Sequence, residues 1–192
     1  GNVLKDLGRL DDAVTSYRRA LEIKPGFAEA HINLGNALQG LGRLGEAQAS
    51  YRRAVELRPD FHIAYNNLAN AQQALGRSTE AEASYRRTFQ LKSDLADAHY
   101  NFGYALTDIG RLVEADTSCR RALELKPGFA NAWQSLAAIK GYQSDFTEVK
   151  ALSDKALSLL SPDRQERYAV WESRLYILSY HPDLPVEEIF AE

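Results

Sequence analysis

The sequence contains no methionine and only one cysteine, Cys119. A single cysteine cannot form a disulfide within the chain, which excludes a disulfide-stapled secreted scaffold and favours a reducing compartment. No run of about 18 or more apolar residues is present, so the sequence predicts no transmembrane helix. The first residues also lack the basic and apolar stretches of a signal peptide. We therefore expect a cytoplasmic location with no membrane partner.

A charge excess of either sign is also lacking, since 23 Lys and Arg stand against 26 Asp and Glu and the formal net charge is −3. A nucleic-acid-binding domain usually shows a clear basic excess, so no nucleic-acid partner is expected. Four arginine pairs suggest a convex basic stripe, but a solvated face with pairing four residues apart is favoured. The predicted ion pairs are Arg18–Glu22, Arg52–Glu56 and Arg120–Glu124.

Catalytic and metal-binding motifs are missing as well. The sequence has no CxxC, no HExxH and no G-x-S-x-G, which argues against a metal site, a cofactor and catalysis within these residues. The segment GLGRLG (40–45) fits the dinucleotide fingerprint G-x-G-x-x-G, yet the residues before it favour a helix where the fingerprint needs a strand. We interpret GLGRLG as a turn and Cys119 as a packed core thiol.

What the sequence does contain is a 34-residue repeat, and internal repeats decide the fold before any motif does. A Gly-Arg dipeptide recurs four times, and an alanine, an aromatic or cysteine position, the arginine pair and a proline recur with it. The repeated positions are Gly8, Gly42, Gly76 and Gly110; Ala13, Ala47, Ala81 and Ala115; Tyr17, Tyr51, Tyr85 and Cys119; and Pro25, Pro59 and Pro127.

Each unit is predicted to form two helices. Ala30, Leu34 and Leu38 have helical spacing in the first, and Ala47, Tyr51, Ala54 and Leu57 have it in the second. Gly42 ends the first helix by adopting a positive φ, and Pro59 ends the second. Small residues at Gly35, Ala69, Gly103 and Ala137 mark where the first helix must approach the second closely.

This pattern resembles the tetratricopeptide repeat (TPR), which implies an all-α, right-handed superhelical solenoid of antiparallel helix pairs. Because Gly1 aligns with the mid-helix Gly35, we expect the chain to be a piece of a longer protein. The predicted division is a partial repeat 1–27, repeats 28–61, 62–95 and 96–129, a degenerate repeat 130–163, and a capping helix with the start of a linker at 164–192.

The final segment LYILSYHPDLPVEEIFAE (175–192) matches no repeat. It is similar to the junction between repeats and catalytic domain in bacterial O-GlcNAc transferase/SPINDLY-like glycosyltransferases. That resemblance implies a parent enzyme that uses UDP-GlcNAc, whose catalytic domain lies outside this chain, with the repeats recognising substrates. The alternative is a stand-alone TPR scaffold or co-chaperone-type adaptor.

Asparagine recurs on the face of the first helices that is turned away from their partners, which is the concave side of such a solenoid. A side-chain amide offers one acceptor and two donors, which suits pairing with the backbone of an extended peptide. A solvent-tolerant Asn copied by repeat duplication is the alternative. The same helical spacing places Ile32 and its equivalent Asn66 on this exposed face. The candidate peptide-binding residues are the ladder Asn33, Asn67 and Asn101, the second row Asn36 and Asn70, and Glu29, Gln73, Asp97, Tyr100 and Tyr104.

The glycosyltransferase resemblance implies the same role for Asn33, Asn67 and Asn101, which would grip the substrate backbone. It also implies an acidic row, matched here by Glu29 and Asp97 but interrupted by Ile63 and Asn131. The expected partner is a protein or extended peptide. Self-association into a homo-oligomer is left open by the sequence.

Overall fold

A computed structural model describes residues 1–144, 146–160, 170 and 172, without the side chains of Lys5, Asp6, Phe146 and Thr147. This part of the chain contains ten α-helices and no strand, which confirms the all-α class. The predicted capping helix and linker at 164–192 lie outside the described residues, except for the helical positions Val170 and Glu172. The helices are α1 (Asn2–Asp6), α2 (Leu10–Ile23), α3 (Ala28–Gly40), α4 (Leu44–Leu57), α5 (His62–Ala74), α6 (Ser78–Leu91), α7 (Ala96–Asp108), α8 (Leu112–Leu125), α9 (Ala130–Tyr142) and α10 (Phe146–Ser158).

The helices form two compact units, residues 1–94 and 95–192. In the first, α3 packs on α4 and α5 on α6, while α2 also contacts α3 and α4 contacts α5. In the second, α7 packs on α8 and α9 on α10, with α8 against α9. The first helices of neighbouring repeats also touch, α3 with α5 and α7 with α9. Two helices therefore form each repeat, as the sequence predicts.

The core of the first unit is formed by the positions that recur with helical spacing. Leu38, Ala47 and Tyr51 are at most 1% exposed, because each lies on the face that its helix turns towards the partner. The close approach predicted at Gly35 is confirmed, since a Cβ built there would lie 2.5 Å from Cε1 of Tyr51. Only a residue without a side chain fits under the tyrosine ring in this packing.

The second unit repeats this arrangement with a smaller side chain in the tyrosine position. Cys119 is fully buried, is not in a disulfide and lies against Gly103, whose hypothetical Cβ would be 2.6 Å from Sγ. Burial raises the pKa of the Cys119 thiol to about 12, so the sulfur stays protonated near neutral pH. The interpretation of Cys119 as a packed core thiol is confirmed.

The turn between paired helices depends on a left-handed residue. Gly42 has a φ of 73°, and Gly8, Gly76 and Gly110 fall between 72° and 76°. This conformation lets the Arg43 N–H donate to the Leu38 carbonyl at 2.9 Å, which closes the end of α3. The turn predicted at GLGRLG is confirmed at residues 41–43, between the end of α3 and the start of α4. In the last repeat Ser144 takes the same role with a φ of 60°.

Replacing Gly42 with valine should lower the free energy of unfolding by about 1 to 2 kcal/mol, because a β-branched residue resists positive φ. A Cβ at Gly42 would meet no atom within 4 Å, so backbone strain is the only penalty. Urea denaturation followed by circular dichroism measures the loss. Gly42→Asn should cost less, since asparagine tolerates this conformation.

Gly26→Val is the matched control for that experiment. A Cβ at Gly26 also meets no atom within 4 Å, but its φ lies outside the left-handed range. The free energy of unfolding should therefore change by no more than about 0.5 kcal/mol. Equal losses at Gly42 and Gly26 would show that positive φ is not the cause.

The arginine pairs are solvated, but their partners differ from those predicted. Arg18 donates to Glu46 of the next repeat at 2.8 Å, and Arg120 donates to Asp116 at 2.7 Å and Glu148 at 3.2 Å. Glu56 and Glu124 instead pair with the neighbouring Arg53 and Arg121, three residues earlier. The predicted pairs four residues apart are wrong, because the adjacent repeat brings a closer carboxylate to Arg18 and Asp116 lies one turn back from Arg120.

Candidate functional site

The predicted residues of the first unit lie on the outer side of α3 and α5, which we call the first-helix face. Asn33, Asn36, Asn67 and Asn70 are all half-buried on it. One position of this face was assigned wrongly from the sequence: Ile32 is 5% exposed, and the Oδ1 atom of Asn66, one repeat later, is buried. Ile32 is part of the hydrophobic core of the first unit.

A hydrogen-bonded relay connects neighbouring repeats along this face. The Tyr51 hydroxyl donates to Oδ1 of Asn36 at 2.8 Å, and Nδ2 of Asn67 in the next repeat donates to the same oxygen at 3.0 Å. We call this arrangement the Tyr–Asn relay. In the preceding repeat, Asn2 accepts from Tyr17 at 2.5 Å and from Asn33 at 3.4 Å.

The second asparagine row therefore supports the fold. Asn70 accepts the Tyr85 hydroxyl at 2.6 Å, as Asn36 accepts that of Tyr51. Burial raises the pKa of both tyrosines, so their hydroxyls remain neutral donors at all physiological pH values. Gln73 shares this task, since Oε1 of Gln73 lies 3.0 Å from the Tyr85 hydroxyl.

The ladder residues Asn33 and Asn67 are oriented by the relay and retain hydrogen-bonding groups that a ligand could use. Each uses one amide N–H towards the preceding repeat. Within the described residues, neither Oδ1 atom accepts a hydrogen bond. Neither of these oxygens is completely buried, so both can be reached by solvent or a ligand. A primary amide has two N–H donors and a carbonyl oxygen. Asn33 and Asn67 therefore each keep one acceptor and one donor without a partner among the described residues.

The acidic positions Glu29 and Asp97 already have cationic partners. Arg58 donates to Oε1 of Glu29 at 2.9 Å through Nη2, and Nζ of Lys126 lies 3.6 Å from Oδ1 of Asp97. Each cation also stacks on a ring: Arg58 lies 4.0 Å from the centroid of Phe61, and Lys126 lies 4.3 Å from that of Phe129. Both carboxylates thus have a cationic partner within their own repeats, in exposed ion pairs that contribute little to stability.

Sequence reasoning missed Arg58 and Lys126. The signal that identifies them is a second recurring pattern, a basic residue followed by proline and, two residues later, phenylalanine. It is present at 24–27, 58–61 and 126–129. Lys24 likewise lies 5.1 Å from the ring centroid of Phe27, so the pattern places a cation over a ring in all three copies.

The second unit carries its own first-helix residues on α7. Asn101 is half-buried, and Tyr104 is 52% exposed. Tyr100 packs its ring 4.9 Å from that of Phe129, and burial raises its pKa. Tyr100 is therefore partly committed to packing, whereas Tyr104 offers an open aromatic surface.

His31 has a structural role. Nε2 of His31 lies 3.0 Å from the Pro25 carbonyl oxygen, and Trp133, three repeats later, donates to the Pro127 carbonyl at 2.9 Å. Among the residues that the structure describes, no group of His, Cys, Asp and Glu could hold a metal ion. None of the helices in that same part is long and apolar enough to cross a membrane.

Helix pairs stacked at a fixed period, with polar amides displayed on one face, define a repeat scaffold of the kind that binds other proteins. A family model described as "TPR repeat" matches residues 1–42, and one described as "Tetratricopeptide repeat" matches residues 32–94 and 66–128. The chain belongs to the tetratricopeptide-repeat family.

Solved structures show the same fold. The chain is similar to YrrB, described as a TPR protein with an unusual peptide-binding site, at 23% identity over 89% of this chain and 88% of that one, with a TM-score of 0.75. It is also similar to TTC0263, a TPR protein of Thermus thermophilus, at 24% identity over 90% and 94%, with a TM-score of 0.72. MamA matches at 24% identity over 94% and 97%, with a TM-score of 0.71. Comparison with curated protein sequences finds no significant match.

Proposed function

We propose that this tetratricopeptide-repeat chain binds an extended peptide segment through the first-helix face. The observation that carries the proposal is the orientation of Asn33 and Asn67. Each amide is held by a hydrogen bond to the preceding repeat and keeps an acceptor and a donor without a partner among the described residues. An extended peptide offers a matching carbonyl and N–H at regular intervals, so this pairing recognises backbone instead of sequence.

Side-chain selectivity from this face should be weak. The carboxylates of Glu29 and Asp97 are engaged by Arg58 and Lys126, so a basic peptide side chain must compete with a resident cation. Ile63 is 45% exposed at the corresponding position of the next repeat and offers an apolar contact. We propose that one surface accepts many sequences, with a mild preference for an apolar residue near Ile63.

The test is Asn33→Ala/Asn67→Ala in the full chain. Peptides are first selected by phage display on the wild-type protein, and the dissociation constant of one of them is measured by fluorescence polarisation. Losing two hydrogen-bonding amides, at about 0.5 to 1.5 kcal/mol for each hydrogen bond, should weaken binding at least about tenfold. The melting temperature should hardly move, because alanine's higher helix propensity at both positions offsets the lost Asn67–Asn36 and Asn33–Asn2 bonds.

Gln90→Ala is the matched control, since Gln90 is an exposed amide on the second helix α6. Its affinity should equal that of the wild type. Asn101→Ala extends the test to the second unit. If Asn33→Ala/Asn67→Ala binds as well as the Gln90 variant, the ladder has no part in recognition, and the alternative of copied, solvent-tolerant asparagines holds.

We further propose that this surface selects substrates for a UDP-GlcNAc-dependent glycosyltransferase. The support is the resemblance of residues 175–192 to the junction of that family. A stand-alone TPR scaffold fits the family match and the similar structures equally well. The intact mass of the native gene product discriminates between them. A mass tens of kilodaltons above the 21.5 kDa of this chain, together with UDP-GlcNAc transfer that falls in the Asn33→Ala/Asn67→Ala variant, would support the enzyme.

A further inference from the structure

A pocket of about 240 Å³ opens on the second-helix side of the first unit, away from the first-helix face. It is lined by Gly45, Gln48, Ala49 and Arg52 of α4 and by Arg77, which precedes α6. The lining contains two guanidinium groups and no acidic side chain. We call it the Arg52–Arg77 pocket.

The pocket coincides with a break in a repeated ion pair. At the same repeat position as Arg52, Arg18 donates to Glu46 at 2.8 Å and Arg120 donates to Glu148 at 3.2 Å, in each case to a glutamate 28 residues on. For Arg52 that residue is Glu80, which instead accepts from Nε2 of Gln72 at 3.4 Å. Arg52 consequently has no hydrogen-bonding or ionic partner among the described residues.

Gly45 makes the pocket accessible. The same repeat position holds Asp11, Thr79 or Val113 in the other units, and each of these would place a side chain at the mouth of the pocket. A Cβ at Gly45 would meet nothing within 4 Å. The Gly45 N–H lies in the first turn of α4, where no earlier helical carbonyl is available, and no side chain caps this end.

Gln48 is a buried polar residue in the lining of the pocket. It is 5% exposed, and its Oε1 atom accepts from Nη1 of Arg77 at 3.2 Å, which holds that guanidinium at the pocket. The Nε2 amide donors of Gln48 have no partner among the described residues. The nearest acid on the same helix turn, Glu46, is bound by Arg43 at 2.7 Å and by Arg18.

We propose that the Arg52–Arg77 pocket binds one anionic side chain, a carboxylate or a phosphoryl group, of a partner polypeptide. Every polar group of the pocket that lacks a partner is a donor: the Arg52 guanidinium, the Gln48 amide and the Gly45 N–H. Two guanidinium groups with a helix N-terminus favour an oxyanion, since charge-assisted bonds are the strongest available to it. The pocket has room for a whole acidic side chain, and it is independent of the first-helix face.

The test is an NMR titration of the ¹⁵N-labelled full chain at constant ionic strength. The probes are the amide-blocked amino acids N-acetyl-phosphoserine methylamide and N-acetyl-glutamate methylamide, with chloride as the reference anion. The Gly45 amide and the Arg52 Nε–H should shift saturably. In Arg52→Gln/Arg77→Gln the affinity should fall at least fivefold. Arg53→Gln, a charge change on the same helix whose arginine faces Glu56, should bind like the wild type.

Gly45→Asp provides a second variant, because it installs the residue that the first repeat carries at this position. It should abolish binding while the far-ultraviolet circular dichroism stays unchanged. Tighter binding of the phosphoserine probe would identify a phosphorylated partner, and equal or tighter binding of the glutamate probe would identify an acidic segment; both support the site. Shifts that grow linearly and equal those of chloride, or that persist in Arg52→Gln/Arg77→Gln, would overturn it.

Discussion

Tyr51→Ala is expected to lower the free energy of unfolding by about 3 to 5 kcal/mol, the range found when a buried aromatic side chain is truncated. The Tyr51 side chain is fully buried, and its ring covers Gly35 so closely that no Cβ fits between them. Its removal leaves a cavity between α3 and α4 and takes away the donor that Asn36 requires. Urea denaturation followed by circular dichroism measures the loss, with the 69% exposed Tyr142 as the site of the control Tyr142→Ala.

Tyr51→Phe separates the ring from the hydroxyl. The ring still fills the site, so the expected loss is only about 0.5 to 1.5 kcal/mol, the usual contribution of a hydrogen bond. Asn36 then keeps the Asn67 amide as its sole donor. A loss as large as that of Tyr51→Ala would contradict the view that ring burial dominates, and no loss at all would show that the hydroxyl contributes nothing to the stability of the array.

Gly103→Val should destabilise the second unit by about 2 kcal/mol or more, because overpacking a close helix contact outweighs valine's better helix propensity. The new Cβ would lie 2.6 Å from Sγ of Cys119 and 3.2 Å from the backbone oxygen of Ala115. The sulfur can rotate away, but a helical carbonyl cannot. The midpoint of urea denaturation reports the effect, and Ala138→Val is the control at a half-buried position of the neighbouring helix α9.

A double-mutant cycle tests the cause. Gly103→Ala and Cys119→Ala should each destabilise the chain, the first by crowding and the second by leaving space. Combined, the new methyl group occupies the volume that the sulfur vacated, so the double variant should be more stable than the sum predicts by about 1 kcal/mol. Additive losses would show that Gly103 and Cys119 are not in contact, contrary to the structure.

The repeat period was sufficient to predict the helix pairs, the positive φ at Gly42 and the close contact at Gly35. Each of these features is determined by contacts and backbone angles within a single repeat. Each also recurs with a glycine, which is the residue type that such a turn or close contact requires. The glycine that precedes arginine in four units is explained by the positive φ of the turn, which does not depend on the adjacent repeat. The all-α fold followed from the same pattern.

What sequence reasoning missed depends on the rotation of one repeat against the next. Whether Ile32 faces solvent, or whether Arg18 finds Glu22 or Glu46, is decided by how closely the neighbouring helices approach. The Tyr–Asn relay has the same origin, since Asn36 was predicted on the ligand side while its oxygen is used by Tyr51 and by Asn67 of the next repeat. The candidate ladder residues Asn33 and Asn67 stay a prediction, now with their free hydrogen-bonding groups defined.

In the first unit, the Tyr–Asn relay makes each repeat an interchangeable module. Its donors and acceptor recur at the 34-residue period up to Asn70 and Tyr85, whereas the next repeat has Tyr104 and Cys119 at these positions. Within the first unit, an in-frame duplication or excision of one whole repeat would therefore present Asn2 or Asn36 with an equivalent amide and an equivalent tyrosine. An insertion or deletion between Asn36 and Tyr51 would instead separate a buried tyrosine hydroxyl from this acceptor, at a cost of about 1 to 3 kcal/mol. A change in length between repeats would break the Asn67–Asn36 bond. Recombination between copies can therefore lengthen or shorten this part of the array in whole steps, which would adjust the length of the proposed peptide-binding face without redesigning any interface.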